Sequence, residues 1–151
     1  MRSLAPPVLF GIAAGALSLF GASALCGALE VQITSVHAAE HGPSDAELAA
    51  FRPRLRRLVG YRSYRIVQRE SRPCSWQTGE AFAIPGGREL HVFPKSMRDE
   101  AVVMQVKLLD GQRALLDTVV RLQNGGVMLF RVDEDSRVAS GALIIMLRAE
   151  D

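Results

Sequence analysis

Between Ala101 and Arg148, four apolar runs alternate with turn-forming residues. The runs are Ala101–Leu109, Arg113–Gln123, Val127–Val132 and Ala142–Arg148, and the breaks are Asp110-Gly111-Gln112, Asn124-Gly125-Gly126 and the polar stretch Asp133–Gly141. Runs rich in Val, Ile and Leu, bounded by Gly and Asn or Asp, are read as antiparallel strands joined by hairpins. This half of the chain therefore predicts a β-meander with one apolar face, and the other half has to cover that face.

Polarity sorting predicts the register, because a one-residue slip sends every side chain to the opposite face. A three-residue turn with Gly in the left-handed position satisfies the sorting at both glycine breaks. At the first, Val106 is expected opposite Leu116, Met104 opposite Thr118 and Val102 opposite Val120, with Gln105 facing Asp117 and Lys107 facing Leu115 outside. At the second, Leu122 is expected opposite Met128, Val120 opposite Phe130 and Thr118 opposite Val132, with Arg121 and Arg131 on the outer face. Leu143, Ile145 and Leu147 extend the apolar face.

Upstream, Leu29–Val36 alternates apolar and polar residues as a half-buried strand does. After the loop His37–Pro43, Ser44 with Glu47 three residues on has the form of a capping box, and Asp45 adds negative charge to a first helical turn. Leu48, Phe51, Leu55 and Leu58 follow at helical spacing, which predicts a short helix over about 45–58 ending at Gly60. Pro53 inside it removes a hydrogen bond and crowds the preceding turn at about 3 kcal/mol. The helix is therefore expected to kink there or to split into Asp45–Phe51 and Arg54–Leu58.

Tyr61–Arg69 reads as a strand broken by Ser71–Pro73, and Ser75–Gln77 as a short strand around Trp76. Glu80–Ile84 and Arg88–Phe93 flank the turn Pro85-Gly86-Gly87, Pro94 closes the second, and Lys95–Glu100 is a polar connection. The fold class is mainly β: a small antiparallel β-sandwich or flattened barrel of about eight strands, with the one short helix after the first strand covering one end. Residues 29–151 form a single domain.

Residues 3–29 carry no charge and follow Arg2. A basic start, an apolar stretch and small residues after it predict a signal peptide over residues 1–28, cleaved after Ala24 or Ala28. An uncleaved membrane anchor is the rival, since roughly 20 apolar residues span a bilayer. Cys26 raises lipid anchoring as a third possibility, although Leu25 and Ser23 depart from the usual pattern there. Export permits disulfides, but cleavage after Ala28 leaves Cys74 without a partner, and a packed thiol is the preferred reading.

The overall balance, Lys+Arg 18 against Asp+Glu 16, favours neither nucleic acid nor an acidic ligand. Locally it is uneven. Arg52, Arg54, Arg56, Arg57, Arg62, Arg65, Arg69 and Arg72 stand against Glu70 alone, and the acids concentrate from Asp99 onward. One reading is an anion-facing surface built from Arg54, Arg57, Arg62 and Arg69, meeting a partner protein or an anionic envelope component. The competing reading is a solvated face whose arginines pair with carboxylates of the acidic half. No nucleic acid is expected, and the membrane enters only through an N-terminal segment that is retained.

No metal or other cofactor is expected. His37 and His41 stand four apart, but Gly42-Pro43 places them at a strand end and loop, where helical ligand spacing does not apply. Asp133, Glu134 and Asp135 read as a soluble hairpin tip more readily than as a calcium loop. Gly86-Gly87 and Gly125-Gly126 precede no helix, so they belong to turns and not to phosphate loops. An enzyme is not expected. The alternative is a small periplasmic hydrolase, metal-dependent or otherwise, using His91 or the His37/His41 pair.

The successions Tyr61-Arg62-Ser63-Tyr64-Arg65, Ile84-Pro85-Gly86-Gly87-Arg88-Glu89-Leu90 and Gly141-Ala142-Leu143-Ile144-Ile145 resemble small exported bacterial β-sandwich proteins of unassigned function. The resemblance implies an envelope β-domain and transfers no catalytic residue. Together with the residues themselves it predicts an exported, non-enzymatic binding or assembly module, periplasmic or at the cell surface.

Overall fold

The computed structural model describes residues 27–132 and 141–151. The expected signal peptide, apart from its last two residues, and the acidic tip Asp133–Asp135 lie outside the described residues. The strands are β1 (Leu29–Ala39), β2 (Ser63–Cys74), β3 (Glu80–Ile84), β4 (Arg88–Arg98), β5 (Ala101–Asp110), β6 (Arg113–Gln123), β7 (Val127–Val132) and β8 (Ala142–Glu150). They form two four-stranded antiparallel sheets, ordered β2-β1-β8-β7 (sheet I) and β3-β4-β5-β6 (sheet II). The sheets do not close into a barrel, so the sandwich alternative holds.

Between the sheets lie Leu29, Val31, Ile33, Phe82, Leu90, Val92, Val102, Met104, Val106, Leu143, Ile145 and Leu147, all buried. A second cluster lies on the far face of sheet I: Val36, Ala38, Tyr64, Ala142, Ile144 and Met146 under Leu48 and Leu55. The central strands β1 and β8 are thus covered on both faces. That is why Ala142–Leu147 is a continuous apolar run, where a strand with one solvated face would alternate. The helical segment covers this outer face of sheet I, a broader position than the one end expected.

Pro53 splits the helical segment, one of the two expected outcomes. Ala46–Phe51 is a 3-10 helix and α1 (Arg52–Val59) begins anew with the proline in its first turn, where no N–H is needed. The break also resets the buried stripe. Leu48, Phe51, Leu55 and Val59 face the sheet, whereas Leu58, expected in the stripe, is 37 % exposed. Gly60 ends α1 in the left-handed conformation, its N–H donating to Arg56 O at 2.9 Å.

The expected capping box does not form. The Ser44 hydroxyl accepts from Tyr64 N–H at 3.1 Å and the Asp45 carboxylate from Ile66 N–H at 2.6 Å. Both side chains satisfy the outer edge of β2 before they can turn back to the helix. Asp45 N–H, donating to Tyr64 O at 2.9 Å, completes this cover.

Of the expected meander, the β5–β6 and β7–β8 pairs form and the β6–β7 pair between them does not. β7 pairs with β8, Met128 opposite Leu147 and Phe130 opposite Ile145, so the expected pairs of Leu122, Val120 and Thr118 with β7 are absent. The Asn124-Gly125-Gly126 turn instead carries the chain from sheet II to sheet I. Asn124 N–H donates to Glu100 O and Gly125 N–H to Ala149 O, each at 2.8 Å, which ties the turn to both sheets. A Cβ at Gly126 would lie 2.9 Å from Gln123 O, so glycine is required there. Polarity could not separate the two outcomes, because Val120, Leu122, Met128 and Phe130 face the same core in either.

The β5–β6 hairpin has a tighter turn than expected. Asp110 pairs with Arg113 around Gly111-Gln112, and a bulge at Leu115 follows, with Leu109 opposite Ala114 and Leu108 opposite Leu116. The register is then Val106 opposite Thr118, Met104 opposite Val120 and Lys107 opposite Asp117, two residues from that expected. A shift of two keeps every side chain on its predicted face.

Proline interruptions are absorbed, not terminal. β2 runs through Pro73 to Cys74, and β4 passes Pro94 by a bulge at Lys95. The expected connection Lys95–Glu100 is therefore strand to Arg98, with Asp99 and Glu100 alone as the turn. Ser75–Gln77 is a turn, not a strand, and its Trp76 packs against the main core.

Candidate anion-facing surface

The four arginines singled out by sequence are all exposed, but the fold distributes them. α1 crosses the outer face of sheet I with Leu55 buried beneath it, so Arg54, Arg56 and Arg57 necessarily point to solvent. Arg54 leans toward β7 and donates to Val127 O at 2.7 Å, capping a carbonyl of that edge strand. Arg57, with Arg54, Leu58 and Leu129, lines a shallow cavity of about 270 Å³ between α1 and β7. Arg62 precedes β2. Neither Arg57 nor Arg62 has a hydrogen-bonding or ion-pair partner among the described residues.

Arg69 belongs elsewhere. It projects from β2 toward Glu47 and pairs with it at 2.7 Å, both side chains substantially exposed. It lines a separate cleft of about 200 Å³ with Gln32, Thr34, Glu47, Phe51 and Arg148. Arg148 was not singled out by sequence. It faces outward near the end of β8 and pairs with Glu150 of the same strand at 2.8 Å. The signal that could have found it is a charge directly following the apolar run 142–147.

Some of the arginines serve the fold. Arg56 and Arg57 occupy the last turn of α1, where positive charge complements the helix dipole. Arg72 fills the seam between the sheets: its guanidinium lies 4.4 Å from the centre of the Phe82 ring, pairs with Glu70 at 2.9 Å and donates to Ala81 O. Gln68, four residues earlier on β2, donates to Ala83 O at 2.9 Å. These two side chains bridge the edge strands β2 and β3 in place of a backbone ladder. Burial raises the Tyr64 phenol above its ordinary range, opposed by the nearby positive charges of Arg56 and Arg52 and reinforced by Glu40. Its hydroxyl donates to Tyr61 O.

The histidines do not converge. His37 lies in β1, His41 in the following turn, and His91 on the outer face of β4, where it contacts Glu89 at 2.9 Å. Among the described residues no three His, Cys, Asp or Glu side chains come close enough to hold a metal ion. Cys74 is fully buried in the main core, and burial, with Glu80 assisting, pushes its thiol up to about 11. It is the packed thiol the sequence suggested. No helix among the described residues is long and apolar enough to cross a membrane. Comparisons with family models, with curated proteins and with solved structures find no match, so the small, mainly β architecture rests on the chain's own geometry.

Proposed function

We propose that this chain is an exported, non-enzymatic binding or assembly module of a bacterial envelope, periplasmic or at the cell surface, that meets an anionic partner through the arginines around α1. The observation that carries this reading is the pair Arg57 and Arg62, exposed and without a carboxylate partner among the described residues, on and just after a helix that contains no acid. Such charges attract anions over roughly 8–10 Å at physiological salt, and the attraction weakens as salt rises. Arg54 adds charge at the β7 side while its guanidinium also caps Val127 O. Arg69, paired with Glu47, contributes least.

The split gives a discriminating test. An Arg57→Ser/Arg62→Ser variant is expected to lose at most about 1 kcal/mol of stability, from the charge at the end of α1, and to elute from a heparin column at lower salt. Arg69→Ser is expected to leave elution nearly unchanged and to cost at most about 1 kcal/mol, the usual limit for an exposed ion pair. Equal elution of wild type and double variant at low salt would remove the anionic partner. Export is tested separately by mass spectrometry of the protein from its native cells, where a mature N-terminus between Leu25 and Leu29 is expected. An intact Met1 in the membrane fraction would instead identify an anchor.

A further inference from the structure

Edge strands present unpaired backbone groups, and folded chains usually blunt them. Three of the four edges here are blunted. β2 is covered by Ser44 and Asp45 and bridged to β3 by Gln68 and Arg72. β3 is only five residues long and receives those bridges. β7 is six residues long, with Arg54 capping Val127 O. β6 is different. It has eleven residues and no proline, and beyond its first residues it carries no bulge. Among the described residues, Arg88 and Arg131 beside its first residues set aside, no side chain donates to its backbone.

Its side chains are also unusually open. On the outer face Val119 is 54 % and Leu115 38 % exposed, while the inward Leu116, Thr118, Val120 and Leu122 are only half-buried. Asp117 and Arg121 flank Val119, both about half exposed; within the copy Asp117 accepts from Gln105 at 2.9 Å and lies 3.8 Å from Lys107, and Arg121 lies 3.5 Å from Asp99, so each keeps an open side toward the edge. This order is self-complementary. If a second β6 lies antiparallel about a twofold axis at Val119, Asp117 of each copy stands opposite Arg121 of the other. On the inner face Leu116 then meets Leu122, and Thr118 meets Val120. An axis at Thr118 or at Val120 would set Asp117 against Val119 or Gln123 and lose both charge pairs. An axis at Asp117 would oppose two carboxylates. From this charge complementarity we infer that β6 pairs with β6 of a second copy, joining two copies of sheet II into one eight-stranded sheet. The interface is isologous, as a twofold dimer requires.

Sedimentation of the intact protein across a wide concentration range tests this, with circular dichroism reporting the fold. The wild type is expected to be a reversible dimer. Val119→Lys places two like charges at the axis on an exposed position, and Arg121→Asp opposes two carboxylates twice. Each is expected to weaken association by about tenfold or more with an unchanged spectrum. The swapped variant Asp117→Arg/Arg121→Asp recreates both pairs in reverse and is expected to recover the dimer. A wild type that stays monomeric, a dimer that survives both single variants, or a folded swap that stays monomeric would each overturn the inference.

Discussion

Cys74 illustrates how position decides the chemistry of a residue. The thiolate is the reactive form, and a buried thiol held near 11 is almost wholly protonated at neutral pH. Native protein is expected to resist a thiol reagent at pH 8 and to react at once when unfolded. The same shift links stability to pH. The folded thiol binds its proton more tightly than the unfolded one, whose ordinary value is 9.0. Its contribution is therefore fully present below about pH 9 and is lost as pH rises toward 11, on the order of 2–3 kcal/mol in all. Burial pushes Tyr64 in the same direction, so its loss adds at still higher pH. Denaturant titration of wild type and Cys74→Ala between pH 8 and 11 measures the difference. Parallel stability curves would contradict the buried thiol.

Turns and edges, more than strands, carry what is particular to the elements of this chain. The β4–β5 turn places Asp99 and Glu100 at φ of 52° and 60°, a region that costs a residue with a Cβ roughly 1–2 kcal/mol. Glu100→Gly is accordingly expected to raise stability by about 0.5–1 kcal/mol, and a decrease in the denaturation midpoint would contradict that backbone geometry. The sequence marked neighbouring Gly111 and Gly125 as turn residues but hid this turn, because Asp-Glu is not a usual pair for it. Strand positions were legible wherever local periodicity and turn residues agreed, as in β6 and β7, whose bounds match expectation. The helix break at Pro53 was legible for the same reason. The partners of Ser44, Asp45 and Arg69 were not, since Tyr64, Ile66 and Glu47 lie about twenty residues away and only folding brings them together. For the arginine surface, exposure could be read from the helical stripe, while pairing could not.

At the scale of the whole molecule, the decisive event is the change of sheet at Asn124-Gly125-Gly126. It leaves β6 and β7 on separate edges, opens one side of the sandwich while Gln68 and Arg72 bridge the other, and puts β7 beneath Arg54 and Leu58 of α1. A continued meander would have buried the β6 edge and moved β7 away from the helix, and with it both the proposed self-pairing strand and the arginine-lined surface. The chain's local pattern permits either course, so only long-range contacts decide. The most direct measurement is a set of backbone nuclear Overhauser effects on labelled protein. The account predicts contacts of Leu129 with Met146 and of Phe130 with Ile145, and no cross-strand ladder between β6 and β7 beyond the turn that joins them. Contacts of Val120 with Phe130 and of Leu122 with Met128 across a backbone ladder would contradict it.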